Sequence, residues 1–275
     1  MTCTVQQETS TDGRLSWFAE VDGEVILHWL ALDVPDDGLD IVSVPAKDVA
    51  ESDVREATAQ LLPMVLAVAH DASKACIHCL VSDQTPTLFG PSLNECGFRP
   101  NVVLQTWMTD RLASVDEDSD VRVQTWSITQ EELGEEVVTA WVEGCLKDSE
   151  DLTGMDAPTA EQLLDNWSHL PHLTSCILMD NARPVGLALV TFEPDNHLAT
   201  LEYLGVIQSK RRQGLGQLLL DQVCGIVMTP QAYAEGQQLM VYCDTLNTPA
   251  MALYRSNGFS RQDSHTLWIR SEKTE

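Results

Sequence analysis

The fold is decided by the stretch LEYLGVIQSKRRQGLGQLLLDQV, which runs from Leu201 to Val223. Its beginning has the pattern of a β-strand that ends at Val206, and its end has the apolar spacing of an amphipathic helix that starts near Gly214. The turn between them carries three consecutive cations at 210–212, the densest positive cluster in a chain with a formal net charge of −26. We therefore expect a strand, a basic turn and a helix in direct succession.

This succession predicts a binding site for an anion. Glycine allows the backbone to come close to a ligand, and the first turn of a helix presents unpaired N–H groups whose charge the helix dipole reinforces. A pyrophosphate suits such a cradle. The stretch is not a P-loop, because no Gly-Lys-Ser/Thr follows, and it lacks the G-x-G-x-x-G of the dinucleotide fingerprint. A glycine-containing turn with solvated cations is the alternative interpretation.

Two motifs resemble those of the GCN5-related N-acetyltransferase (GNAT) superfamily. Arg211-x-x-Gly214-x-Gly216 is similar to the family's [R/Q]-x-x-G-x-[G/A], and Asn247-T-P-A-M-A-L-Tyr254-R-S-N-G-F is similar to N-x-x-A-x-x-L-Y-x-x-x-G-F. The motifs come in the family's order, with a helix and a strand between them. The resemblance implies an acyltransferase that uses acetyl-CoA as its acyl donor.

The resemblance also implies which residues bind acetyl-CoA. Main-chain groups at 204–206 would pair with the pantetheine arm between two parallel strands, and the Val206 N–H would donate to the thioester oxygen. Backbone amides of 211–216 would hold the pyrophosphate, with added charge from Arg211, and Asn247 would hydrogen-bond the pantetheine arm. The expected cofactor-binding residues are Leu204, Gly205, Val206, Arg211, Arg212, Gln213, Gly214, Leu215, Gly216, Gln217, Asn247 and Tyr254. No metal site is expected, and His169 and His172 are interpreted as loop residues.

Tyr254 and Glu202 are the catalytic residues that the resemblance implies. Tyr254 stands where many family members carry a tyrosine that protonates the departing thiolate. Glu202 lies four residues before Val206, which predicts side chains on the same strand face, and it is the candidate base that takes the amine proton through water. Packing against the cofactor for Tyr254, and an ordinary exposed position for Glu202, are the alternatives. The family's other frequent position for a base carries Tyr242, and tyrosines titrate near pH 10, so the base stays open.

The two halves of the chain echo each other. Leu93–Met108 and Tyr254–Ile269 both read as a helix that ends at a glycine followed by Phe, and then a strand with a Trp. A duplicated unit predicts an α/β protein with mixed sheets and two GNAT-like domains at 1–110 and 121–275, joined by an acidic linker at 111–120. Each domain would be a mostly antiparallel central sheet flanked by helices. The C-terminal one would splay a parallel pair of strands to hold acyl-CoA.

The first copy is predicted to be a degenerate domain that does not bind CoA. The segment Val44–Glu51 aligns with the basic turn but has no glycine, and the carboxylates of Asp48, Glu51 and Asp53 would repel a pyrophosphate. We expect this copy to have a structural role or to cover part of the acceptor cleft.

Local sequence patterns predict the first strands and helices of the second half of the chain. Val121–Ile128 predicts a strand, and Thr129 predicts the N-cap of a helix whose apolar stripe continues to Cys145. A hairpin is expected around Asn181.

The composition of the chain limits the classes of partner and the cellular compartment that are expected. With 42 acidic residues against 16 Lys and Arg, nucleic acid and anionic membranes are not expected, whereas a cationic amine would be attracted. No apolar run reaches the roughly 20 residues of a bilayer span, and the start has no secretory-signal pattern, so a cytoplasmic protein is predicted. The eight cysteines, with the pair Cys76 and Cys79 among them, are expected to be reduced. The oligomeric state is left open.

We therefore expect transfer of an acetyl group to the primary amine of a small cationic molecule or a peptide, by direct attack. A CoA-binding but catalytically inactive sensor or scaffold is the alternative from another class. Transfer of a longer acyl group, or use of a carrier-bound thioester, ranks third.

Overall fold

The computed structural model describes residues 3–9, 15–22, 24–34, 38–45, 49–71, 76–82, 86–111, 121–147, 159–170, 173–181, 183–193 and 197–271. The chain divides into two compact units. The first comprises Met1–Leu104 together with Asp263–Glu275, and the second comprises Gln105–Gln262. The sequence-based limits 1–110 and 121–275 remain a proposal, since the structure groups the C-terminal segment with the N-terminal one.

The first unit is a mostly antiparallel sheet covered by a long helix. Its elements are β1 (Cys3–Thr9), β2 (Leu15–Val21), β3 (Glu24–Val34), β4 (Gly38–Pro45), α1 (Glu51–Asp71), β5 (Cys76–Ser82), α2 (Pro86–Glu95) and the beginning of β6 (Arg99–Thr109). Strands β1 to β4 pair antiparallel in chain order, and β4 pairs parallel with β5. The core of this unit holds the fully buried side chains of Trp17, Trp29, Leu61 and Phe98.

Strand β12 (Ser260–Ser271) completes the first sheet. Its residues His265–Ser271 pair antiparallel with β5. Trp268 of β12 packs against the first core, and Arg270 donates a hydrogen bond to the carbonyl oxygen of Cys96 at 3.1 Å. The tryptophan-bearing strand near the C-terminus therefore belongs to the unit formed mainly by the N-terminal residues.

The second unit has a mixed sheet with helices on both faces. Its elements are the end of β6, β7 (Val121–Thr125), α3 (Trp126–Leu133), α4 (Glu135–Leu146), α5 (Ala160–Ser168), β8 (Thr174–Asp180), β9 (Arg183–Glu193), β10 (Leu198–Val206), α6 (Leu215–Val227), α7 (Pro230–Ala234), β11 (Gln238–Asp244), α8 (Thr248–Ser256) and the beginning of β12. Strands β7 to β10 pair antiparallel in chain order, and β10 pairs parallel with β11. The predicted α/β architecture with a parallel pair is confirmed.

Alternate residues of the strands supply two separate cores in this unit. Ala188 and Val190 of β9 face α6, whereas Leu187 and Leu189 face the side of α3, α4 and α5. This alternation is the period of two that a strand buried on both faces requires. The two faces can therefore carry different parts of a site.

The predicted helix start at Thr129 is wrong. Helix α3 already begins at Trp126, after the N-cap residue Thr125, so β7 is shorter than expected. Thr129 is buried inside α3, and its hydroxyl lies 2.7 Å from the Ser175 hydroxyl of β8. Gly134, with φ of 79°, separates α3 from α4, so the apolar stripe belongs to two helices rather than one.

Two further features concern the helices and the thiols of the described part of the chain. None of its helices is long and apolar enough to cross a bilayer. The seven cysteines whose side chains are described are free thiols.

Gly186 offers a test of how tightly β9 packs on α6. A methyl group at Gly186 would lie 2.9 Å from Leu219 Cδ1. We expect Gly186→Ala to overpack this contact and to lower the free energy of unfolding by about 1–3 kcal/mol, measured by urea denaturation with tryptophan fluorescence.

Gly216→Ala is the matched control for that measurement. A methyl group at Gly216 would meet its nearest neighbours at 3.7 and 3.9 Å, which are ordinary contacts. We expect its free energy of unfolding to stay within about 1 kcal/mol of the wild-type value. Equal losses in the two variants would contradict the packing described for β9 and α6.

Candidate functional site

A cavity of about 500 Å³ opens where β10 and β11 separate. The two strands pair only from Leu198 with Gln238 to Leu201 with Val241, although both continue beyond this register. The cavity brings together most of the residues expected from the sequence, namely Glu202, Leu204, Gly205, Val206, Arg211, Arg212, Gly214, Leu215, Gly216, Asn247 and Tyr254. Gln213 and Gln217 are not among its lining residues.

The open edge of β10 presents main-chain groups to this cavity. The Ile207 N–H donates to the Val185 carbonyl oxygen of β9 at 3.0 Å. Because main-chain groups alternate along a strand, those of Val206 and Leu204 point the other way, towards the side from which β11 has departed. Polar main-chain groups at such a gap need a partner from water or a ligand.

A β-bulge in β10 decides where Glu202 points. Leu201 pairs with Val190 and Tyr203 with Leu189, so Glu202 has no residue opposite it. An extra residue of this kind re-aims side chains. The Thr191 hydroxyl of β9 donates to Glu202 Oε1 at 2.5 Å.

The bulge also overturns one expectation from the sequence. Thr191 lies between Val190 and Phe192, which contact the core under α6, so Thr191 and the carboxylate bound to it are on the opposite face. Leu204 and Val206 contact the core under α6. Counting residues placed Glu202 and Val206 on one face, which is wrong because the bulge inserts one residue.

The turn after β10 is shaped by left-handed residues. Arg212 has φ of 63° and Gly214, the N-cap of α6, has φ of 82°. Successive amides in such a turn can converge on an anion, and the free N–H groups of the helix start add to them. The space beside Gly214 is open, since a methyl group there would meet nothing within 4 Å. These features fit a pyrophosphate group.

Lys210 and Arg212 differ in their surroundings. Lys210 Nζ forms an ion pair with Asp180 Oδ2 at 2.6 Å. Arg212 is exposed at the cavity, and none of the described residues forms an ion pair with it. Arg212 is therefore the cation with the most freedom to approach a bound anion.

Arg211 is tied to the main chain on two sides. Its Nε donates to the Val206 carbonyl oxygen at 3.0 Å, and its Nη2 donates to the Cys145 carbonyl oxygen of α4 at 2.7 Å. The family resemblance implies that this guanidinium adds charge at the pyrophosphate, whereas its bonds in the structure join the end of β10 to α4.

Helix α8 contributes Asn247 and Tyr254. Asn247 Oδ1 accepts from the Ala250 N–H at 3.1 Å and thereby caps the helix, whose first turn also contains Pro249. Asn247 also lines the cavity. Tyr254 is only 5% exposed and packs its ring 5.5 Å from that of Phe259.

Gln213 and Gln217 have partners outside the cavity. Gln213 Nε2 donates to the Ser209 carbonyl oxygen at 3.4 Å. Gln217 and Asn257 exchange two amide hydrogen bonds of 2.6 and 2.8 Å, which join α6 to the end of α8. Their side chains support the turn rather than line the site.

Sequence patterns did not indicate several lining or supporting residues, among them Thr191, Tyr203 and Cys243. Thr191 escapes notice because its bond to Glu202 depends on the bulge. Tyr203 packs 5.0 Å from the Trp167 ring and lies so close over Gly205 that a methyl group there would overlap its phenol. Cys243 of β11 also lines the cavity. An aromatic residue two positions before a glycine in a strand is the one local signal that could have indicated Tyr203.

Charge is unevenly distributed along the lining. Glu202 is its acidic residue, and the cations are those at 210–212. The cavity therefore offers separate places for a negative and a positive group. Among the described residues, no group of three or more His, Cys, Asp or Glu could hold a metal ion.

Residues 136–259 match the acetyltransferase (GNAT) family. The chain carries a GNAT domain. This match falls within the second unit and includes the whole basic turn and the α8 motif, so the family resemblance of these motifs is confirmed.

Comparisons with individual proteins agree with this domain. A segment of 86 residues is 31% identical to a mycothiol acetyltransferase of Jonesia denitrificans, covering 31% of this chain and 26% of that protein. The match therefore spans about a quarter of that relative's length.

Solved structures extend the similarity to the first unit. A GCN5-related N-acetyltransferase of Sphaerobacter thermophilus has a TM-score of 0.63 at 16% identity, covering 93% of this chain and 80% of its own. A tandem GNAT protein from the clavulanic acid biosynthesis pathway has a TM-score of 0.57 at 13% identity, covering 99% and 84%. At these identities the likeness is one of fold, and it confirms the tandem GNAT-like arrangement predicted from the sequence.

Buried thiols of the second unit lead to a pH-dependent stability. Burial raises the pKa of Cys145 and of Cys176 from 9.0 to about 12, and that of Cys224 to about 11. Above about pH 9 the unfolded chain loses these protons while the native protein keeps them, so the free energy of unfolding falls as pH rises. Below the unfolded pKa the contribution is complete and constant.

Urea denaturation at a series of pH values measures this effect. We expect little change from these thiols up to about pH 8 and a decline from about pH 9. Cys176→Ala, which removes one of the three groups, should make the decline shallower. A decline of unchanged slope in that variant would contradict the assignment to the thiols.

Proposed function

We propose that the second unit transfers an acetyl group from acetyl-CoA to a primary amine. The observation that carries this proposal is a single cavity that contains a left-handed basic turn at a helix start, an open strand edge, and the side chains of Glu202 and Tyr254. The GNAT family match supports acyl transfer in general.

The donor would occupy three parts of this cavity. Its pyrophosphate would accept hydrogen bonds from the amides of 211–216, with Arg212 supplying charge. Its pantetheine arm would pair with the main-chain groups of Leu204 and Val206, as a strand would. Asn247, which also lines the cavity, would hydrogen-bond the same arm.

The reaction would be direct attack of a neutral amine on the thioester carbon. The new C–N bond forms as the C–S bond breaks, and the Val206 N–H stabilises the developing oxyanion. Glu202 takes the amine proton through a water molecule, and Tyr254 gives its phenolic proton to the departing sulfur. The cysteine of the cavity lining is Cys243, and the described residues of the lining include no histidine that could activate its thiol, which favours direct attack over an acyl-enzyme.

The acceptor in this proposal is a small cationic amine or a peptide amine. The carboxylate of Glu202, held by Thr191, would attract an ammonium group before its deprotonation. The formal net charge of −26 favours the approach of cations from solution. A cytoplasmic location, predicted from the sequence, belongs to the same proposal.

Binding of acetyl-CoA tests the donor site. We expect titration calorimetry to find about one site per chain for the wild type, and no binding for the Gly214→Glu, Gly216→Glu double variant, because two carboxylates would repel the pyrophosphate and fill its space. The matched control is the double variant Gly97→Glu, Gly134→Glu, which changes two glycines with positive φ that are not part of the cavity lining.

Each result has a distinct meaning for the proposal. Two sites per chain would contradict the predicted loss of the site in the first copy. Binding without turnover of any amine would favour the sensor or scaffold alternative. No binding by the wild type would overturn the acyltransferase proposal.

Catalytic roles are tested by removing one proton-transfer group at a time. We expect Glu202→Gln and Tyr254→Phe to lower kcat/KM by about 10²-fold or more, since proton transfer by a positioned side chain typically contributes 10²–10⁴-fold. Acetyl-CoA affinity should stay within a few-fold, because neither change alters the basic turn. Steady-state kinetics with an amine found by screening, together with calorimetry, measure both quantities. A Tyr254→Phe variant with wild-type kcat would leave Tyr254 a packing residue.

A further inference from the structure

Arg211 has an unusual position for a cation next to an anion-binding turn. Two of its nitrogens are used by main-chain carbonyl oxygens that are far apart in sequence, those of Val206 and Cys145. A planar guanidinium can hold two acceptors in fixed directions, which a lysine cannot do. The side chain therefore behaves as a connection between two elements.

The first bond fixes the end of β10. The peptide group between Val206 and Ile207 is held on both sides, because its N–H donates to the Val185 carbonyl oxygen and its carbonyl accepts from Arg211. This peptide group directly follows the Val206 N–H that the proposed function uses for the oxyanion.

The second bond fixes the end of α4. The Cys145 carbonyl is among the last four of the helix, which have no partner within it and carry the negative end of the helix dipole. Helix α4 also approaches the residue after β10 closely, since a methyl group at Gly144 would lie 3.3 Å from Ile207 Cγ2. Helix α4 thus sits directly on the last residues of β10.

Helix α4 is also connected to the cavity through the core that it shares with Trp167. Its residues Val142 and Cys145 are buried in the core that contains Trp167, against which Tyr203 packs. Tyr203 lines the cavity. A shift of α4 would therefore move Tyr203, which lines the cavity on the same face of the sheet as the Glu202 carboxylate.

We propose that Arg211 is a positioning residue that couples acyl-donor binding to α4 and thereby orders the acceptor side of the cavity. The inference rests on the proposed function for its ligand, acetyl-CoA. When the donor occupies the turn and the edge of β10, it immobilises the backbone that carries Arg211. Through its bond to the Cys145 carbonyl oxygen, the guanidinium then restricts the motion of the end of α4. Arg212, which has no such bonds to described residues, supplies the charge for the pyrophosphate.

Amide hydrogen exchange of the full-length protein tests this coupling. In the wild type, saturating acetyl-CoA should slow exchange at the C-terminal end of α4 by about fivefold or more, in the range of typical coupling between sites. Arg211→Lys keeps the charge but loses the planar guanidinium that holds two carbonyl oxygens. It should therefore bind acetyl-CoA within a few-fold of wild-type affinity and lose the slowing of exchange at α4. Exchange within α6 should still slow in this variant, because the donor contacts that helix directly.

Arg212→Gln is the matched control, one position away. It should weaken acetyl-CoA binding several-fold at low salt and less at high salt, because an exposed charge is screened. At saturating acetyl-CoA it should retain the slowing at α4. Arg211→Gln, which the family motif also accommodates, provides a second variant if Arg211→Lys does not fold, and it should likewise lose the slowing.

The possible results separate the inference from the proposed function. Slowing at α4 that persists in Arg211→Lys or Arg211→Gln would overturn the coupling role, and so would donor binding by the wild type without any slowing at α4. A larger loss of donor affinity in Arg211→Lys than in Arg212→Gln would make Arg211 a phosphate ligand instead. Donor binding with the expected slowing but no turnover of amines would overturn the proposed function alone. Absence of acetyl-CoA binding in the wild type would overturn both.

Discussion

The site depends on the early end of pairing between two neighbouring parallel strands. Beyond Leu201 and Val241 the hydrogen bonds between β10 and β11 cease, although both strands continue. An unpaired strand edge is usually confined to the margin of a sheet, where it is blunted or covered. Here the unpaired edge lies inside the sheet. The N-termini of α6, which follows β10, and of α8, which follows β11, lie around it. The cavity is thus a consequence of backbone geometry before any side chain is considered.

The bulge at Glu202 changes which side chains of β10 lie on each face of the sheet. After it, Leu204 and Val206 contact the core beneath α6, whereas Tyr203 contacts the core of α3, α4 and α5. The donor elements and the proposed acceptor elements thereby lie on opposite sides of one strand. Both faces of β10 border the gap, because Tyr203 and Leu204 both line the cavity, so the proposed thioester and amine would meet there.

Local signals allowed much of this site to be predicted from the sequence. Gly214 and Asn247 mark helix starts through their own conformational preferences, and both lie at the ends of the expected helices. Thr125 and Thr129 are equally good capping residues by type, and the helix that starts after Thr125 buries Trp126, which no local pattern encodes. The partners of Arg211 were hidden for another reason. One of them, the Cys145 carbonyl, is 66 positions away and is a main-chain group that any residue type would provide.

The pairing of β12 with β5 has a consequence for how the protein is made. Ser82 at the end of β5 donates a hydrogen bond to Asp263 of β12, 181 positions later in the chain. At ordinary rates of translation, of roughly 5–20 residues per second, the first sheet waits about 10–40 s on the ribosome for its last strand. During that interval the exposed edge of β5 is a target for pairing with other nascent chains. The N-terminal unit, although synthesised first, is therefore completed last, and its dependence on chaperones is expected to exceed that of the unit that carries the cavity.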